Sequence, residues 1–85
     1  MNTVYETVIV RDVESHGLDV STAVFGTRDA AVRHLTDEFV AACRHPLEAD
    51  AVAFADDIRE SGEFVLDLDD DSVTFMLKTQ EVRNG

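Results

Sequence analysis

The chain has no tryptophan, one cysteine, one lysine and no long apolar run, and each shortage narrows what it can be. Cys43 stands alone, so no internal disulfide staples the fold and nothing suggests a small secreted scaffold. No apolar stretch approaches the ~20 residues of a membrane span. The opening MNTVYETVIV lacks a basic start and a small-residue cleavage site, so it does not read as a signal peptide; a cytoplasmic location is expected. A glycine-rich phosphate loop and a Ser-containing nucleophile elbow are both missing. A chain this small rarely encloses a substrate pocket of several hundred Å3, so a non-enzymatic role is expected.

Eighty-five residues make one domain, residues 1–85, because a chain of this length buries only somewhat over ~60% of its unfolded surface and has nothing left for a second core. Valine and alanine supply the core material that tryptophan does not. Charge is the dominant signal. Eighteen acids against seven bases give a net charge of −11, which opposes direct binding to nucleic-acid phosphates. The excess is local. Glu48 to Asp71 holds ten acids and only Arg59, a net of −9, whereas Met1 to Leu47 carries −3 and Ser72 to Gly85 carries +1.

Periodicity predicts the elements. Thr3 to Val13 alternates as a strand, with Val4, Val8 and Val10 on one side and Tyr5, Ile9 and Val13 on the other. Ser15-His16-Gly17 supplies a turn, and Leu18, Val20, Thr22 and Val24 alternate in a second strand. Thr27 is the predicted N-cap of a helix whose stripe is Ala31, Val32, Leu35, Phe39, Ala42 and Cys43. His45-Pro46 ends that helix and opens the next, which runs to about Ser61 with Leu47, Ala51, Phe54, Ala55 and Ile58 inward and Gly62 as its stop. Phe64, Leu66 and Leu68 then alternate, an acidic turn Asp70-Asp71-Ser72 follows, and Val73, Phe75 and Leu77 form a last strand; only the tail Arg83-Asn84-Gly85 looks free. The fold class is α+β in ββααββ order: a four-stranded antiparallel sheet with two helices packed on one face.

The chemistry-bearing groups have plain alternatives. Asp67, Asp69 and Asp71 resemble the start of a calcium loop, but Ser72 stands where that loop needs glycine and Lys78 where it needs a bidentate glutamate, so a solvated turn is the better reading. Cys43, His45 and His34 are one cysteine short of a plausible zinc set, and no orienting partner makes a Cys-His nucleophile. No metal or cofactor is expected. Asp56-Asp57 faces water, where neither carboxylate gains the desolvation that general acid–base work needs.

What remains is the acidic surface. Its bland readings are solubility and a halophilic coat, the latter suggested by one lysine against six arginines and by eleven Asp against seven Glu. A coat should be uniform, whereas the first helix exposes Arg33 and Arg44 near Asp37, with Arg33 and Asp37 spaced for an i, i+4 pair. On the second helix, Asp50, Asp56, Asp57 and Glu60 alternate with Ala49 and Ala53 on a face of low relief. A helix of about fifteen residues is ~22 Å long, and duplex DNA carries one charge per ~1.7 Å, so such a row can occupy phosphate positions in a basic channel. The expected partner-binding residues are Asp50, Asp56, Asp57, Glu60, Asp67, Asp69, Asp70 and Asp71. The expected partner is a basic protein or nucleoprotein surface.

In size, acidity and ββααββ layout, with its Glu48 to Asp71 charge block, the chain resembles the small phage-encoded inhibitors of bacterial immunity, anti-CRISPR proteins among them, several of which act as DNA mimics. The resemblance implies a partner with a basic nucleic-acid channel, such as a CRISPR effector complex, and an activity of steric and electrostatic obstruction without chemistry. Two alternatives stand beside it. One is an accessory or oligomerising domain that binds another protein, or a second copy as a homodimer, through the sheet; exposed Tyr5, Ile9 and Val13 would be its contact patch. The other is an antitoxin-like partner of a basic toxin.

Overall fold

The computed structural model describes residues 2–43 and 47–82. Two hairpins and a helical pair follow the expected order: β1 Asn2–Val13, β2 Gly17–Phe25, α1 Arg28–Ala42, α2 Glu48–Ser61, β3 Glu63–Leu68 and β4 Asp71–Val82. The sheet is antiparallel throughout and ordered β2-β1-β4-β3, so the long strands β1 and β4 meet in the centre and the shorter β2 and β3 form the edges. The expected break at His45-Pro46, the expected exposure of Arg44 and the expected free tail at residues 83–85 fall outside the described residues.

Local chemistry sets the boundaries. Thr27 caps α1, its hydroxyl accepting from the amide of Ala30 at 3.2 Å, which satisfies one of the unpaired donors of the first turn. Gly62 ends α2 with φ 77, in the left-handed region that glycine enters without a Cβ penalty, and its amide donates to Ile58 O at 2.9 Å. Gly17, with φ 80, opens β2 after the turn.

Both helices pack on one face of the sheet, α1 over β1 and β2, α2 over β3. The core between the layers contains Ile9, Val32, Leu35, Phe39, Phe54, Ile58, Val73 and Phe75. Phe39 and Phe54 stack at 4.4 Å between centroids and bring the two helices together, while Phe64 and Phe75 from the sheet present edges to Phe54 at 5.1 Å each. Each fully buried side chain of this kind contributes about 1.5–3 kcal/mol.

The covered side of β1 differs from the expectation. Ile9 is 2% exposed and sits in the core, opposite Phe75 of β4 and Ser21 of β2, so Tyr5, Ile9 and Val13 lie on the helix side and cannot form an outward patch. The open face carries the even-numbered residues instead: Val4, Val8 and Val10 of β1 with Val20 and Val24 of β2 and Met76 of β4. Val8 is buried without joining the core cluster, paired with Thr22 of β2 and Met76 of β4. Leu47 also departs from the inward stripe. It is the residue before α2 and is exposed. Arg33 and Asp37 do not form the ion pair their spacing allows; both line the groove between α1 and α2. His34 is half-buried, its ring centroid 5.1 Å from that of Phe25. Among the described residues no helix is long and apolar enough to cross a membrane.

Candidate partner-binding surface

The acids separate into two groups, and strand direction is the reason. The last β1–β4 pair is Asp12 with Ser72, so the β1–β2 and β3–β4 turns leave the sheet at the same end. After α2 the chain reverses at Gly62, and β3 runs back toward the start of α2. The acidic hairpin therefore lies near the N-terminal end of α2, and the C-terminal end of α2 lies at the opposite pole.

At the first pole, Leu68 pairs with Asp71 across a two-residue turn, and Asp69 has φ 50, a left-handed conformation that Asp tolerates. Asp67 points to the open face of the sheet, opposite Ser72, while Asp71 takes the helix side, beside Leu68. The Asp71 carboxylate accepts from the backbone amide of Glu14 at 3.2 Å, joining the two turns. Glu14, Asp67, Asp69, Asp70 and Asp71, with Ser15, Leu68 and Cys43, line one open depression of about 840 Å3, and among the described residues no basic side chain lines it. Asp50 belongs to this pole. Its carboxylate accepts from Leu47 N at 3.4 Å, and it acts on Cys43, whose thiol is pushed above its ordinary pKa first by burial and then by the Asp50 charge.

The second group sits on the C-terminal half of α2. Asp56 and Glu60, four residues apart, share the outward face with Ala49 and Ala53, whereas Asp57 and Asp50, seven apart, share the flank turned away from α1. That assignment follows from Glu48, Val52, Ala55 and Arg59 lining the groove with α1. Bases are close here. Arg59 approaches Asp56 at 3.8 Å, and the Arg28 guanidinium donates to the backbone carbonyl of Arg59 beside Glu60. Asp50 and Glu60 are ten residues apart on the helix, ~15 Å along its axis, so the eight expected contact residues do not form one row.

Elsewhere two acids, Glu38 and Asp19, are matched within the fold. Arg11, on the helix side of β1, reaches Glu38 of α1 at 3.0 Å and Asp19 of β2 at 3.9 Å. Among the described residues, no ion pair reaches Glu14, Asp67, Asp69, Asp70 or Asp71. Two carboxylates ~6 Å apart in bulk water repel by roughly 0.7 kcal/mol, so crowding them on one hairpin works against stability unless a cation approaches. Glu14 was not among the expected contact residues, and its place shows only once β1–β4 pairing is known. Among the described residues no three His, Cys, Asp or Glu side chains converge closely enough to hold a metal ion. No protein-family model, curated protein or solved structure matches this chain.

Proposed function

We propose that this protein is a non-enzymatic binding protein whose acidic pole occupies a basic, nucleic-acid-binding surface of a protein or nucleoprotein partner, an effector complex of bacterial immunity being the leading example. The observation that carries the reading is the open depression walled by Glu14, Asp67, Asp69, Asp70 and Asp71, with no base lining it among the described residues. Carboxylates held by a hairpin and a helix start are pre-positioned, so little ordering entropy opposes their pairing with Arg and Lys on a partner. Most of them are exposed, which suits charge display and gives none of the desolvation that acid–base catalysis requires. The C-terminal half of α2 contributes less, because Arg28 and Arg59 already stand beside its acids.

Competition binding tests this. Purified RNA-guided effector complexes are titrated with the protein while their DNA binding is read by fluorescence anisotropy at low and high salt. The expected result is loss of DNA binding that weakens steeply as salt rises, because ion pairing on the partner is screened. Asp67→Asn, Asp69→Asn, Asp70→Asn and Asp71→Asn together should abolish it, whereas Asp56→Asn, Asp57→Asn and Glu60→Gln together should leave most of it. Equal loss from both sets, or inhibition indifferent to salt, would overturn the reading.

A further inference from the structure

The open face of the sheet has no counterpart in the acidic pole and needs its own account. The strand register places Val8, Val10, Val20, Val24, Val65 and Met76 together on the side away from both helices. Several are far from buried: Val20 is 58% exposed, Val24 61% and Val65 49%, and Leu18 at the tip of the β1–β2 hairpin is 71% exposed. A monomer rarely leaves a contiguous apolar patch beyond a few hundred Å2 in water.

We propose that this face is a self-association surface, on which a second copy of the chain packs its own open face to give a sheet-on-sheet dimer with the helices outside. Area is the first argument. The four strands contain thirty-nine residues. At ~3.3 Å along the strand and ~4.8 Å between strands they cover roughly 600 Å2 of sheet plane per copy. Side-chain relief raises that toward the ~800 Å2 per partner of a standard stable interface.

Charge is the second argument. The protein carries −11, yet the centre of this face is neutral. By register its charged positions are Asp12 and Asp67 at the turn end, Glu63 at the start of edge strand β3, and Glu6 beside Lys78. Glu6 is engaged locally, accepting from Gln80 Nε2 at 3.2 Å. A basic partner would find little there to neutralise, and an anionic partner little to attract it. Two identical faces, by contrast, can bring apolar centre against apolar centre, with most of their acids at the margins. A β-branched sheet surface is also its own complement: aligned sheets pack ~10 Å apart at about −30°, with side chains of the two inner faces interdigitating. The contact is isologous, so one two-fold axis closes it and no filament follows. The acidic turn stays at the rim, which keeps this inference independent of the proposed function.

Sedimentation velocity on the full chain is the test, run from ~5 to ~200 µM so that mass action reveals a dimer, at low salt and near 1 M NaCl. The expected result is a species of twice the 9.4 kDa chain mass that persists or tightens at high salt. Val20→Lys and Val65→Lys sit on opposite edge strands and should each return a monomer with an unchanged far-UV circular dichroism spectrum. Should either lysine variant fail to fold, the near-isosteric pair Val20→Thr with Val65→Thr should still weaken the dimer by roughly tenfold or more. Asp69→Asn should leave it intact. A wild-type monomer at every concentration overturns the proposal, including one that instead binds phosphatidylcholine vesicles. So does a dimer broken by Val20→Lys but not by Val65→Lys, which would mean pairing along the β2 edge, and so does a dimer that dissociates at high salt.

Discussion

Glu14 and Asp71 lie fifty-seven residues apart and are joined by one hydrogen bond, the Glu14 amide donating to Asp71 Oδ1 at 3.2 Å. The contact fixes the β1–β2 turn against the β3–β4 turn and aligns the carboxylates of both. Asp71→Asn keeps an acceptor oxygen and should leave stability within about 0.5 kcal/mol, while Asp71→Ala should cost about 1 kcal/mol by urea unfolding. Equal stability of the two variants would show that the bond contributes nothing.

Phe54 is the residue on which the helical layer depends, stacked on Phe39 and edged by Phe64 and Phe75. Phe54→Ala removes a fully buried ring that makes three aromatic contacts and should cost about 3–5 kcal/mol, a large part of the roughly 5–10 kcal/mol expected for a domain of this size. Phe54→Leu should cost distinctly less. Urea midpoints measure both, and a Phe54→Ala cost below about 1 kcal/mol would place the core elsewhere.

Gly62 and Gly26 predict opposite results from the same substitution. A Cβ on Gly62 would stand 3.2 Å from Leu77 O at φ 77, and the Gly62 carbonyl accepts from Leu77 N at 2.8 Å, so the backbone has little room to move. Gly62→Ala should cost about 1–2 kcal/mol. A Cβ on Gly26 meets nothing within 4 Å, and Gly26→Ala should be neutral or slightly stabilising through the unfolded state. Thermal melts of the two variants decide it.

Asp69 and Asp70 should trade stability against binding. Asp69→Asn with Asp70→Asn relieves like-charge repulsion and keeps a side chain suited to the left-handed turn position, φ 50 at Asp69. The double variant should be more stable than the wild type by about 0.5–1 kcal/mol at low salt, with the difference fading near 1 M salt, while affinity for a basic partner falls. Destabilisation by the same change would assign these carboxylates a structural role. Collapse of the wild type at low salt, not repaired by the pair of substitutions, would point to a halophilic coat.

Much of the fold was legible along the chain because local chemistry decides it. Alternation marked the four strands, the Ala31, Val32, Leu35, Phe39 spacing marked α1, and Thr27, Gly17 and Gly62 punctuated them through an N-cap oxygen and two positive φ angles. The acidic block between Glu48 and Asp71 was also plain from composition. Two matters were decided only by tertiary structure. Strand β1 carries apolar residues on both sides, so periodicity alone could not say whether Ile9 or Val8 met the helices; pairing with Phe75 and the packing of α1 chose Ile9. Proximity of the acids likewise depended on the reversal at Gly62 and the β1–β4 register, which bring Glu14 and Asp50 to the hairpin and leave Glu60 at the other pole. Period reports which residues share a face of one element, but which face is buried and which ends meet is set by long-range pairing that no short window of sequence contains.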